Sequence, residues 1–176
     1  MSATQILPET LIHPDSARSP LVAGIRTAVQ THANWAATAQ LVADQLRRHL
    51  PTVEVLTPAQ RLGSPDDYCA HNLYVEPDGS FSVVALVWRL GQVTRIHDHV
   101  TWCVLGVIQG VEYEERFDAD LNLIGQYENQ VGHVSGFALP GDIHRVRNIG
   151  ETTAISIHVY GTDVSRLGSS ARRYYD

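Results

Sequence analysis

Two histidines separated by one residue, His97-Asp98-His99, are the first feature of this sequence with a chemical consequence. Side chains alternate between the faces of a β-strand, so on a strand this spacing puts both imidazoles on one side and Asp98 on the other. Imidazole ligates iron, zinc, copper and nickel alike, so two on one face make half of a metal site, although a lone His-x-His is as readily structural. A third histidine adds weight to the metal reading. His144 follows a tight-turn signal, Pro140-Gly141, and opens the β-prone run His144-Arg-Val-Arg-Asn148. Nine histidines in 176 residues are more than packing needs. His13, His32 and His49 fall in or beside the helical first third, where surface and cap roles are expected.

The second stretch with chemistry in it is Thr153–Tyr160. Ser156, His158 and Tyr160 alternate with Ile155, Ile157 and Val159, which lines three polar groups along one face and three β-branched residues along the other. One reading is a hydrogen-bonded series; the other is a half-buried edge strand with its polar face in solvent. A solvent face more often carries Lys, Glu or Thr.

The elements that must position these residues divide the chain unevenly. Ser19-Pro20 is an N-cap followed by proline at the first helical position, and Leu21, Ile25, Ala28 and Val29 recur on one face. Gly24 weakens that helix by roughly 1 kcal/mol relative to alanine. A second helix starts after Asn34, with Trp35, Ala39, Val42, Leu46 and Leu50 as its stripe; Arg47, Arg48 and His49 suit its C-terminal dipole and Pro51 ends it. From Tyr68 onward the pattern is short β-runs, at 72–76, 81–90, 102–109, 111–117, 121–127, 136–139, 144–148 and 153–160, separated by Gly, Pro and Asp turn signals. No helical crossovers separate them, so a barrel or sandwich is expected and a parallel doubly wound sheet is not.

Composition narrows the function. A chain of this length buries a core without covalent staples, and 44% hydrophobic with 18% charged residues fits a globular enzyme. The net charge of −6 argues against a nucleic-acid surface. Two cysteines make no disulfide framework, and no zinc spacing is present. The first residues lack a signal peptide's basic start and apolar core, and no apolar run reaches membrane-spanning length, so a cytoplasmic protein with no membrane partner is expected.

On these residues the chain resembles the cupins. Gly91, His97, His99 and Gly110 match their first motif, and Gly141, His144 and Asn148 their second. The first motif normally carries a glutamate ligand, whose slot here holds Cys103. In this the chain is similar to the thiol dioxygenases of the cysteine dioxygenase family, and within them to the bacterial 3-mercaptopropionate branch. The resemblance implies a mainly β fold: one cupin double-stranded β-helix (jelly-roll) barrel, with a helical segment over 1–66, the barrel over 67–165 and a tail over 166–176. It implies Fe(II) on His97, His99 and His144, with a small thiol acid and O2 as substrates and the sulfinic acid as product. It makes Ser156, His158 and Tyr160 a relay ending in a tyrosine hydroxyl at the site, and Cys103 the partner of a possible thioether to Tyr160; the plain alternative for Cys103 is a small buried hydrophobe.

A thiol acid also needs a cation for its carboxylate, and arginine's planar fork suits it. The neighbourhood that supplies this arginine in cysteine-specific relatives is Tyr68-Cys-Ala-His71-Asn72, with His71 in the slot. The mercaptopropionate branch uses a tail arginine, which points to Arg172 or Arg166; a solvated basic end is the alternative. Arg95 shares a face with His97 but stands where the family places no substrate contact. Arg145 and Arg147 are expected to pair with surface acids, and Trp88 and Trp102 to pack near the barrel mouth. Rival readings are another thiol substrate, cysteine included, a non-oxidative cupin such as an isomerase or ligand-binding module, or a barrel kept for interaction alone. Monomer and homodimer are both compatible with the sequence.

Overall fold

Both helix starts are capped as their sequences predict. In the computed structural model, which describes residues 16–175, Ser19 Oγ accepts from the Val22 amide at 3.2 Å and Asn34 Oδ1 accepts from Ala37 at 2.9 Å. Each cap contributes about 1 kcal/mol. His13 lies outside the described residues. The caps open α1 (Pro20–Val29) and α2 (Trp35–Arg48), and a short α3 (Pro58–Arg61) follows. The buried face of α2 is Thr38, Ala39, Val42, Ala43 and Leu46. Trp35, expected in that stripe, is 45% exposed.

The strands are β1 (Cys69–Val75), β2 (Ser82–Trp88), β3 (His97–His99), β4 (Cys103–Gln109), β5 (Val111–Phe117), β6 (Leu123–Gln130), β7 (Val134–Phe137), β8 (His144–Arg147), β9 (Ala154–Tyr160) and β10 (Ala171–Tyr174), with α4 (Val164–Leu167) between the last two. They form two antiparallel five-stranded sheets, ordered β1-β2-β9-β4-β7 and β10-β3-β8-β5-β6. This is the mainly β, double-stranded β-helix architecture that the motifs imply, with helices added at the N-terminal side. Among the described residues no helix is long and apolar enough to cross a membrane.

The helices explain why the first sheet is apolar on both faces. Val83, Ala85 and Val87 of β2 and Ile155, Ile157 and Val159 of β9 pack with Ile25, Val42 and Leu46 of the helices. The alternate residues, Val84, Leu86 and Trp88 of β2 and Tyr160 of β9, turn into the barrel. Truncating Leu46, fully buried here, to alanine would cost on the order of 2–5 kcal/mol. The helix lies close: a Cβ on Gly136 would meet the Ala39 carbonyl oxygen at 2.8 Å. Gly110, the one-residue link between β4 and β5, has φ +70° and faces the Ala154 backbone, so it serves both turn and packing.

The structure removes two alternatives that the sequence leaves open. β9 is no edge strand: it sits between β2 and β4 and is buried along its length. The tail is not a solvated end either. Ala171–Tyr174 adds β10 to the sheet edge, in register with β3 at Tyr174↔His97 and Ala171↔His99.

Candidate metal centre

The barrel brings the three predicted histidines together from two strands. His97 and His99 share the inner face of β3, and His144 opens β8 directly opposite His97 in register. Their ring centroids are 4.9, 4.7 and 5.0 Å apart, close to an equilateral triangle. One ring nitrogen of each lies within 4.8 Å of the others, and all three side chains are buried.

The remaining nitrogens explain the orientation. His144 Nδ1 is 2.9 Å from Glu114 Oε1, His97 Nδ1 is 2.9 Å from the Arg95 carbonyl, and His99 Nδ1 faces Asp142 Oδ2 at 3.4 Å. An Nδ1–H directed at an acceptor leaves Nε2 with its lone pair toward the centre, as metal-binding histidines require. Burial, followed by mutual repulsion with the other two rings, drives the His97 pKa well below its ordinary value. Burial lowers that of His99 too, against the opposing pull of Asp142. Both rings are therefore neutral, which is the ligating form. The donor set fits a divalent transition metal.

Two carboxylates behind the ligands were not foreseen. Burial alone would raise the Glu114 carboxyl, but its bonds to His144 and Arg116 hold it well below the usual carboxylate range. Burial likewise opposes ionisation of Asp142, and its bonds to His99, one of them from the backbone amide at 2.8 Å, prevail. Asp142 stands in the Pro140-Gly-Asp-Ile-His144 motif, two residues before the ligand, and that proximity was the available signal. Glu114 had a weaker one, the shared parity of Glu112, Glu114 and Arg116 along β5.

The predicted relay is assembled. Ser156 Oγ lies 2.9 Å from His158 Nε2, and His158 Nδ1 lies 3.1 Å from the Tyr160 hydroxyl. Burial, then the neighbouring His144 and His99, pushes the His158 pKa down to about 3. Burial and the adjacent Cys103 push the Tyr160 phenol well up, so it keeps its proton. Cys103 is directly opposite Tyr160 in the β4–β9 register, with Sγ 3.9 Å from His158 Nδ1. A neutral thiol thus occupies the place of a carboxylate donor, its own pKa raised by burial.

The three ligands and the His158–Tyr160 end of the relay line one cavity of ≈ 250 Å³, together with Tyr68, Arg95, Ser170 and Tyr174. Here the structure departs from the substrate contacts expected from sequence. Arg172 is turned to Asp98, whose Oδ2 also accepts from Arg173 at 2.8 Å and Tyr175 at 2.9 Å. Burial opposes the Asp98 charge, but these three donors hold its pKa far below normal. Asp98 projects to the face opposite the ligands, as the strand alternation requires, and takes Arg172 with it. Arg166 is largely exposed and paired with Asp163. His71 is buried on β1 opposite Ala85, on the helix-covered side of the first sheet. None of the three lines the cavity. Arg95 does, with its guanidinium 4.6 Å over the Tyr174 ring, which β10 brings there. Arg145 and Arg147 pair with Glu115, while Trp102 is core and Trp88 stacks on Tyr68 at 4.2 Å.

A family model described as Cysteine dioxygenase type I matches residues 64–173. Cysteine dioxygenase type 1 of Danio rerio is 33% identical over 101 residues, 51% of this chain and 49% of that protein. Its namesake from Homo sapiens is 33% identical over 97 residues, 51% and 48% respectively. The chain spans about half the length of these curated relatives. Among solved structures, an uncharacterised Klebsiella pneumoniae protein with a double-stranded β-helix domain aligns with TM-score 0.49 and 18% identity, over 62% of this chain and 85% of that one. An oxalate oxidase aligns with TM-score 0.48 and 16% identity, over 57% and 53%.

Proposed function

Because the chain belongs to the cysteine dioxygenase type I family, we propose that it is a non-haem iron thiol dioxygenase acting on a small thiol carboxylic acid. The reaction is RSH + O2 → RSO2H, with both oxygen atoms entering the sulfinic acid. The observation that carries this reading is a three-imidazole donor set, with no carboxylate in it, sharing one cavity with His158 and Tyr160, the near end of the Ser156-His158-Tyr160 chain. His97, His99 and His144 would hold Fe(II), which would supply redox activation of O2 and a Lewis-acid seat for sulfur.

The protein groups do the rest. Neutral imidazoles leave the anionic donor role to the substrate thiolate, while Glu114 and Asp142 fix the ligands from behind. Tyr160 keeps its proton at neutral pH and presents a hydroxyl to the reacting sulfur. Arg95 receives the carboxylate, with Tyr174 bracing its guanidinium. Arg95→Gln is expected to raise KM for the thiol acid about tenfold or more with a small change in kcat, because the contact is equally present before and during reaction. Arg172→Gln, by contrast, is expected to leave KM within about twofold and to lower Tm, because Arg172 serves Asp98. Steady-state kinetics and thermal melts on both variants check this; a KM effect confined to Arg172 would reverse the assignment.

The preferred substrate is 3-mercaptopropionate, which has a thiol and a carboxylate and no amine. Cysteine is the second reading, favoured by the names of the curated relatives and by Asp66 and Asp67 on the cavity lining, which suit an ammonium. The test is anaerobic Fe(II) loading followed by O2 uptake with 3-mercaptopropionate, cysteine and cysteamine. One O2 consumed per sulfinate formed is expected, fastest with 3-mercaptopropionate. Faster turnover of cysteine selects the second reading. No thiol-dependent uptake in an iron-replete sample overturns both.

A further inference from the structure

Strand β5 carries a second inward carboxylate that the relay, as described, leaves unused. Glu112 shares a face with Glu114 and is fully buried. Neither of its oxygens has a regular hydrogen-bond partner. The groups that favour its charged form are the Ser156 hydroxyl and the Trp88 indole. Trp88 Nε1 is itself 3.4 Å from Ser156 Oγ, so three polar heads meet at the end of the relay opposite Tyr160. An ionisable group this buried is not placed there by packing, since a carboxylate without a partner is costly and an apolar residue would fill the space.

We propose that Glu112 is the fourth member of the relay, a positioning residue whose protonation state sets the direction of every hydrogen bond from Ser156 to Tyr160. The proposal rests on the role given above to Ser156, His158 and Tyr160. A neutral imidazole carries one N–H, so the chain has two self-consistent directions. With Glu112 protonated, its O–H donates to Ser156, Ser156 donates to His158 Nε2, and His158 Nδ1–H donates to the Tyr160 oxygen. The Tyr160 O–H is then directed into the cavity. With Glu112 ionised, Ser156 donates to the carboxylate, His158 Nε2–H donates to Ser156, and the Tyr160 O–H is drawn back to His158 Nδ1. Ser156 accepts from Trp88 in either direction.

The surroundings keep the two states close in energy. On its own strand Glu112 has Glu114, ionised and repelling it, and beyond that Arg116, which is bonded to Glu114. Strand β9 presents Ser156 and, behind it, neutral His158 and Tyr160. From β2 comes Trp88, from β4 the neutral Cys103, and from β6 Asn129, its partner in register. Strand β8 turns Val146 inward, while its two arginines bind Glu115. No cation is bonded to Glu112 among the described residues, and burial, aided by Glu114, pushes its pKa up to about 7. The charge on Glu112 is also felt at Tyr160, whose proton it helps retain.

The test is the tautomer of His158, read from ¹⁵N shifts of the full chain labelled at histidine, with Zn(II) as a diamagnetic occupant of the three-histidine site. In the wild type the ring proton is expected on Nδ1 below about pH 7 and on Nε2 above it. In Glu112→Gln the tautomer is expected to stay constant over the same range. Infrared difference spectra across that pH step are expected to show a protonated-carboxyl band that Glu112→Gln lacks. In turnover, kcat is expected to fall about tenfold per pH unit above the Glu112 pKa in the wild type, and this limb is expected to be missing in the variant. A wild-type His158 tautomer that does not change with pH, or an identical change in Glu112→Gln, overturns the proposal. The wild-type titration decides even if the variant folds poorly. Because the spectra need no turnover, absent O2 uptake would remove the proposed activity without touching this result.

Discussion

His99→Ala is expected to yield a folded chain that retains almost no iron and turns over at least about 10³-fold more slowly per mole of protein. His99 is 2% exposed, contributes one of three donors and packs between Phe137 and Tyr160, at centroid distances of 5.5 and 6.1 Å. With one imidazole gone, two donors from β3 and β8 cannot define the site, and the buried thiol of Cys103, kept neutral by burial, stands where a carboxylate donor would otherwise be. Folding should survive: the Asp142 Oδ2 bond to the residue-99 amide at 2.8 Å does not depend on the side chain. A destabilisation of about 1–3 kcal/mol from the Asp142 oxygen left facing a cavity is the expected cost. Glu114→Gln provides the intermediate case. It keeps a side chain beside His144 Nδ1 but removes the charge, and is expected to weaken metal binding by about 10–100-fold while leaving the donor set whole. Iron stoichiometry after dialysis, with thermal melts, checks both. Full iron retention in His99→Ala would show that the ion is held elsewhere.

What could be read from the chain follows from how local each signal is. The caps at Ser19 and Asn34 depend on a few neighbouring residues, and the His-x-His and Ser-x-His-x-Tyr spacings depend only on the two-residue period of a strand. These were therefore legible. The glycines at 91, 110 and 141 likewise mark positive-φ turns beside the ligand strands. Strand β10 was illegible for the opposite reason. Arg172-Arg173-Tyr174 has no apolar alternation, and its pairing comes from a buried acid over seventy residues away in sequence. The same long-range contact bears on the substrate assignment, since a tail arginine looks available until Asp98 is seen to hold it. The carboxylates of β5 were hidden by charge on both parities: Glu112 and Glu114 point inward while Glu115 pairs outward with Arg145. Ordinary patterning sends charge to solvent, and only a site in the barrel reverses that rule.

Tyr160→Phe is expected to keep iron at the wild-type level and lose about 10²-fold in kcat, with O2 use uncoupled from sulfinate formation. The substitution removes one oxygen and leaves the ring in place, so the contact with His99 and the packing against β4 persist. What disappears is the hydroxyl, together with its bond to His158 Nδ1 at 3.1 Å. The buried nitrogen then lacks a partner, at a stability cost of about 1–2 kcal/mol. KM should change little, because the carboxylate contact at Arg95 is untouched. The ratio of O2 consumed to sulfinate formed measures the uncoupling, and iron content separates this variant from His99→Ala. Cys103→Ser resolves what the hydroxyl does from what a thioether to Cys103 would do. Both variants lack that link, whose presence in the wild type shows as an intact mass lower by two hydrogens, but only Cys103→Ser retains the tyrosine hydroxyl. A loss confined to Tyr160→Phe assigns the effect to the proton donor at the end of the relay. An equal loss in both would move it to the link, and unchanged coupling in Tyr160→Phe would remove the relay from the chemistry altogether.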